Sequence, residues 1–149
     1  MKIKRNDFII KCGISKPTLN TMLRGASFNP KLTTITKLAN FCNSSIDEML
    51  GRDSKYYINK PKNFQQIDGT LITKNLLSVV ENTMAELNIS VLKLANKINV
   101  NTKTLSMFLD PNVSATPGAA TTLALANFLD VSIDDMIGRR PPSRMQEQK

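Results

Sequence analysis

Apolar residues recur along this chain at steps of three and four, the period of a helix with one buried face. In the stretch GISKPTLNTMLR, Leu19, Met22 and Leu23 stand at i, i+3 and i+4 and predict one such face. Gly13 supplies a tight turn before it, Ile14 an apolar plug, and Ser15 an N-cap whose hydroxyl accepts an orphan amide. Lys16, Pro17, Asn20, Thr21 and Arg24 are left on the opposite side. Upstream, Asn6 to Lys11 reads as a helix with Phe8, Ile9 and Cys12 on one side. Downstream, Gly25 to Pro30 is a loop by its turn residues, and Leu32, Ile35, Leu38, Ala39 and Cys42 resume helical spacing. Ser45-Ile46-Asp47-Glu48 is a capping-box sequence that starts a short helix, and Gly51 stops it.

From Asp53 to Gly69 no period is sustained, as in a connector. Helical spacing then returns over Leu71 to Leu87, Ile89 to Ile98, Thr102 to Leu109, Ala119 to Leu129 and Ser132 to Ile137. A polar tail follows from Arg139, with the composition of a disordered segment. The pattern is that of an all-α protein.

The second half repeats the first. Residues 38–52 (LANFCNSSIDEMLGR) match residues 125–139 (LANFLDVSIDDMIGR) at ten of fifteen positions. Upstream of the loop at 25–30 the register shifts by one: Lys11 pairs with Lys97, Ile14 with Val100, Leu19 with Leu105 and Leu23 with Leu109. Gly13 pairs with Asn99, and Asn is the next most tolerant residue in left-handed backbone space. The division is into a first unit over 1–52, a linker over 53–70, a second unit over 71–139 and a tail over 140–149.

Charge sharpens this division. The net charge is +8. Residues 1–62 hold twelve Lys and Arg against four Asp and Glu, whereas residues 63–149 hold eight of each. The whole excess sits beside the helix at 16–24, which directs attention to a polyanionic partner. The chain has no His and no Gly-rich phosphate loop, and its two cysteines, Cys12 and Cys42, have no metal or redox spacing and read as small buried hydrophobes. Asp47/Glu48 and Asp134/Asp135 are paired carboxylates, but they stand at helix starts, where acids favour the dipole. No catalytic residue, metal site or cofactor is assigned, and the expectation is a non-enzyme. With no membrane-length apolar run and no signal peptide, it is also expected to be cytoplasmic.

The run GISKPTLNTMLRG, followed by LTTITKLANF and SIDEML, resembles the phage-repressor-like (XRE/Cro) helix-turn-helix family. The resemblance spans residues 5–52 and again 76–139, about three quarters of the chain. It implies two tandem lambda-repressor-like helix-turn-helix domains and a DNA-reading helix over 16–24. At the family's base-contacting positions stand Lys16, Pro17, Asn20 and Thr21. Lys16 can donate to a guanine edge; Pro17 offers only apolar contact. At backbone-contacting positions stand Lys4, Arg5, Ser15, Arg24, Ser27 and Asn29.

The second copy departs from that pattern. Val91 stands where Arg5 stands, and Asp110 replaces Arg24. Thr102 and Lys103 can still reach DNA as secondary contacts, and the repeat reads chiefly as a dimerising or scaffolding copy. The first copy lacks the family's first helix, since only four residues precede Arg5. The face of Phe8, Ile9 and Phe41 therefore needs cover from the Tyr56-Tyr57-Ile58 connector, the second repeat or another protomer. These features imply a sequence-specific double-stranded DNA-binding transcriptional regulator acting by operator occupancy, as a homodimer. The alternative is a protein-interaction module, antitoxin or accessory factor, with a partner held through the second repeat.

Overall fold

Most helices that the spacing predicts end at a residue able to turn the chain left-handed. Gly13 (φ +79°), Asn43, Asn88, Asn99 and Asp130 each close a helix in that region. At Gly13 an added methyl group would meet nothing nearer than Lys37 Cδ at 3.9 Å, so a side chain there costs backbone strain alone. Gly13→Ala should lower stability by about 1 kcal/mol. Gly13→Asn, the residue that the second repeat uses at φ +60°, should cost less. Urea denaturation of the two variants checks the order.

The computed structural model describes residues 3–25, 29–110, 112 and 117–139. They form α1 (Arg5–Cys12), α2 (Lys16–Arg24), α3 (Leu32–Cys42), α4 (Ile46–Met49), α5 (Gly69–Leu87), α6 (Val91–Ile98), α7 (Thr102–Leu109), α8 (Ala119–Leu129) and α9 (Ile133–Ile137). Among the described residues there is no strand, and the protein is all-α. Among them, too, no helix is long and apolar enough to cross a membrane. Ser27 and the tail 140–149 lie outside the described residues. The connector contains one 3₁₀ turn, Ser54–Tyr56, capped by Asp53.

Several expectations are corrected, and the first is at Arg139: read as the start of a disordered tail, it is fully buried. Leu23 is exposed: the core reaches only to Leu19 and Met22, and the last turn of α2 runs beyond it. Cys12 is buried and its thiol is pushed up by desolvation, but Cys42 is exposed at the end of α3. Ser45 caps α4 by accepting from the Glu48 amide, yet the Glu48 side chain pairs outward with Lys60 at 2.7 Å.

One hydrophobic cluster runs through both repeats, from Cys12 and Leu19 to Ile133 and Ile137. Its polar seam is reciprocal. The Asp47 carboxylate, entirely buried, accepts from Ser132 Oγ (2.7 Å) and from the Ile133 amide (3.0 Å) at the start of α9. The Asp134 carboxylate accepts from Ser45 Oγ (2.6 Å) and from the Ile46 amide (3.1 Å) at the start of α4. Each acid thus favours a helix dipole, as its place in the sequence suggests, but the helix belongs to the other repeat. Arg52 binds Asp47 (2.5 Å) and crosses to Asn127 and the Val131 carbonyl. Arg139 binds Asp134 (2.5 Å) and crosses to Asn40 and the Ser44 carbonyl. Burial pushes the Asp134 carboxyl up and the Arg139 guanidinium down, opposed by the Ser45 hydrogen bond and by the pairing itself. At the other end of the seam, Leu32 N donates to Pro117 O and Ala119 N to Pro30 O, both at 2.8 Å. Each of these contacts has its mirror in the register of the repeat, which is the signature of an isologous, two-fold interface. Here it forms within one chain.

The connector laces this interface. Tyr56 stacks under Arg52, with the guanidinium carbon 3.6 Å from the ring centroid. Its hydroxyl donates to Asp130, whose carboxyl is held low by that bond and by Lys55. Phe64 is buried beneath Arg139, and Gln65 N donates to Arg139 O. Of the Tyr56-Tyr57-Ile58 segment, Tyr56 therefore serves the interface, and Ile58 is exposed. Phe8 and Phe41 instead cover each other edge to face, 5.0 Å between centroids. In the second repeat α5 packs on α9, and Met136 is 8% exposed; its counterpart Met49 on α4 is 39% exposed.

Candidate nucleic-acid interface

The helix α2 is positioned from both ends and one side. Ser15 Oγ accepts the Thr18 amide (3.2 Å) and shares a 2.7 Å hydrogen bond with Thr18 Oγ1. Pro17 lies in the first helical turn, where its missing amide costs nothing. Gly25 closes the helix with its amide on the Met22 carbonyl. Ile14 and Leu19 anchor the inner face in the core. Lys37 reaches back from α3 to the Gly13 carbonyl (3.0 Å) and fixes the turn that aims α2.

On the outer face Lys16, Pro17, Asn20, Thr21 and Arg24 line one shallow depression. The side chains expected at base edges, together with Arg24, thus share one surface. Lys16, Pro17 and Arg24 are exposed; Asn20 and Thr21 are half-buried. The Thr21 hydroxyl donates to the Pro17 carbonyl (3.0 Å), so its oxygen remains as an acceptor toward a partner. Lys4 and Arg5 stand exposed at the start of α1. None of Lys4, Arg5, Lys16 and Arg24 forms an ion pair among the described residues. Arg52, the first repeat's remaining arginine, is spent on the interface and adds nothing to this face.

Asn29 has a different place from the one expected. Its side-chain oxygen accepts the Ala120 amide (3.0 Å) at the start of α8, so it ties the repeats together beside the seam. Ser15 is likewise committed first to capping.

The corresponding face of the second repeat is built on α7. Asn101 caps it through the Lys103 amide (2.8 Å). Lys103 is exposed and Thr102 half-buried, and Met107 is exposed where the first repeat has Thr21. Asp110 folds onto the Asn112 amide (2.9 Å), and Val91 packs against the core. No group of His, Cys, Asp or Glu among the described residues is arranged to hold a metal ion.

No protein-family model, no curated protein and no solved structure matches the chain.

Motif reading does not single out the interface residues Asn40, Ser45, Asp47 and Arg52 as functional. A signal for them is nonetheless present: all four are identical in the second repeat, as Asn127, Ser132, Asp134 and Arg139, at unchanged spacing. Apolar core positions tolerate exchange between repeats, such as Leu50 for Ile137, whereas a reciprocal hydrogen-bonded seam does not.

Proposed function

We propose that the chain is a sequence-specific double-stranded DNA-binding regulator that acts by occupying its operator. In this reading its repeats are two lambda-repressor-like helix-turn-helix units, and it works in the cytoplasm without catalysis or cofactor. The observation that carries the proposal is the outer face of α2. A lysine, an arginine and an amide project from a short helix held rigid on its inner side, and neither cation has an acidic partner among the described residues. Lys16 and Asn20 have the donors that guanine and adenine edges require, and Thr21 adds an acceptor. Arg24, Lys4 and Arg5 supply charge for phosphates.

Selection of bound duplexes from a random pool tests this. Wild-type protein should enrich a defined motif. Lys16→Ala should lose discrimination at one base pair, worth roughly 1–3 kcal/mol, and keep the rest of the motif. A uniform loss across sequences would make Lys16 a phosphate contact, and no enrichment by the wild-type protein would overturn the proposal.

A protein-interaction role is favoured by a separate observation: Met49 on α4 is 39% exposed, whereas its counterpart Met136 on α9, which α5 packs against, is 8% exposed. Binding to duplex DNA that depends on salt and on α2 separates the two readings.

A further inference from the structure

We infer that one chain reads a complete two-part operator by itself, α2 in one major groove and α7 in the next on the same duplex, with two unlike half-sites. This rests on the DNA-binding reading above and adds to it a second binding face, a stoichiometry and an operator shape.

The two-fold relation is the starting point. The seam exchanges Asp47 with Asp134 and Arg52 with Arg139, and in the register of the repeat the counterpart of α2 is α7. The rotation axis passes between the segments 30–32 and 117–119, which hydrogen-bond to each other in antiparallel fashion. These segments directly follow the loops that leave α2 and α7. Both helices therefore flank the axis at the same end of the interface, and the α4–α9 contact lies at the other. Duplex DNA has two-fold axes of its own relating its backbones, and its successive major grooves, about 34 Å apart, are what two helices presented from one end of a two-fold arrangement can enter.

The pairing persists in the free chain. Asp134 and Arg139 are at most 1% exposed and their hydrogen bonds span the repeats. Because the repeats are covalently joined, the second helix arrives at high effective concentration once the first has docked. No second chain has to associate. The basic excess of the first repeat then suffices for the whole molecule.

The faces differ in chemistry, and so must the half-sites. Where α2 carries Lys16, Pro17, Asn20 and Thr21, α7 carries Thr102, Lys103, Ser106 and Met107 in the register of the repeat. Lys103 can donate to a guanine, and Met107 offers apolar contact of the kind that suits a thymine methyl. With Val91 and Asp110 in place of Arg5 and Arg24, this half-site lacks its phosphate clamps and is the weaker one. The operator is thus an asymmetric pair.

The experiment uses the full chain and the duplex enriched from a random pool. Sedimentation or native mass measurement should find one 16.6 kDa chain per duplex. Hydroxyl-radical footprinting should show protection centred on two grooves one helical turn apart. Lys103→Glu, an exposed site whose folding is checked by circular dichroism, should weaken affinity about tenfold. It should also erase the weaker footprint and leave the α2 motif unchanged. Protection of a single groove, with Lys103→Glu silent, would overturn the inference and leave α2 as the sole reader. Two chains on an inverted repeat would overturn it in favour of a homodimer. Absence of any enriched duplex would remove the DNA-binding reading itself, and this inference with it.

Discussion

Asp134→Ala should destabilise the protein by roughly 3–5 kcal/mol, as expected when one member of a buried ion pair is deleted. The substitution leaves the Arg139 guanidinium buried and without its acid, and it uncaps the Ile46 amide and the Ser45 hydroxyl across the interface. A cost of that size is a large share of the roughly 5–15 kcal/mol typical of a folded domain. At about 2–4 °C per kcal/mol for a chain of this size, the melting midpoint should fall by roughly 6–20 °C. Asp47→Ala should behave alike, because Asp47 makes the reciprocal contacts to Arg52, Ser132 and Ile133. The double variant Asp134→Leu/Arg139→Met should recover part of the stability, since it leaves no unpaired charge. Urea denaturation of the three variants decides. A cost below about 1 kcal/mol for Asp134→Ala is the range of an exposed ion pair and would mean that water reaches the seam.

The second large effect is on DNA affinity. Arg5→Ala/Arg24→Ala should make the dependence of log K on log salt shallower by about 0.9 for each phosphate that is no longer neutralised, about 1.8 for two. At 0.1 M salt the same effect amounts to roughly sixtyfold weaker binding. Both residues are exposed and without ion pairs among the described residues, so folding should be unaffected. The preferred bases should stay the same, because phosphate contacts position without specifying. Titration of a fluorescent duplex at several salt concentrations measures both slope and affinity. An unchanged slope in folded protein would remove Arg5 and Arg24 from the interface, and altered base preference would place one of them in the groove.

The contrast between these two variants follows from where each charge lies. Asp134 and Arg139 are removed from water, so their pairing is unscreened and deletion exposes a full desolvation penalty. Arg5 and Arg24 are hydrated in the free protein, and their effect emerges only when counterions leave the DNA. Neither arginine side chain is needed for the fold, and neither member of the Asp134–Arg139 pair lies on the α2 face.

Much of this molecule is determined locally. Leu19, Ile35, Leu38, Leu76, Val80, Leu94 and Leu105 lie at helical spacing in the sequence and are all buried. Ser15, Ser45, Asp68, Ser90 and Ser132 cap the helices that follow them. Gly13 and Asn99 close α1 and α6 through the same left-handed turn. The face of Lys16, Pro17, Asn20, Thr21 and Arg24 follows from that same helical spacing, because an α-helix fixes which residues share a side within two turns. The periodic pattern, the caps and the charge asymmetry are short-range properties, and the sequence alone determined them.

What only the tertiary structure decided is the use of residues whose partners stand far along the chain. Asp47 looks from sequence like an acid favouring its own helix, yet it caps α9; Asn29 looks like a loop residue facing outward, yet it caps α8. Tyr56 and Phe64 sit in a connector without period and become the aromatic plates under Arg52 and Arg139. Leu23 and Cys42 keep the spacing of core residues and remain exposed, because helical spacing says which side of a helix is apolar and not how far the core extends beneath it. The pairing of the repeats within one chain belongs to the same class. Identical residues at identical spacing show that two units are alike, but whether like units bind each other or a second molecule depends on the path of the linker, and that path is set by contacts no local pattern encodes.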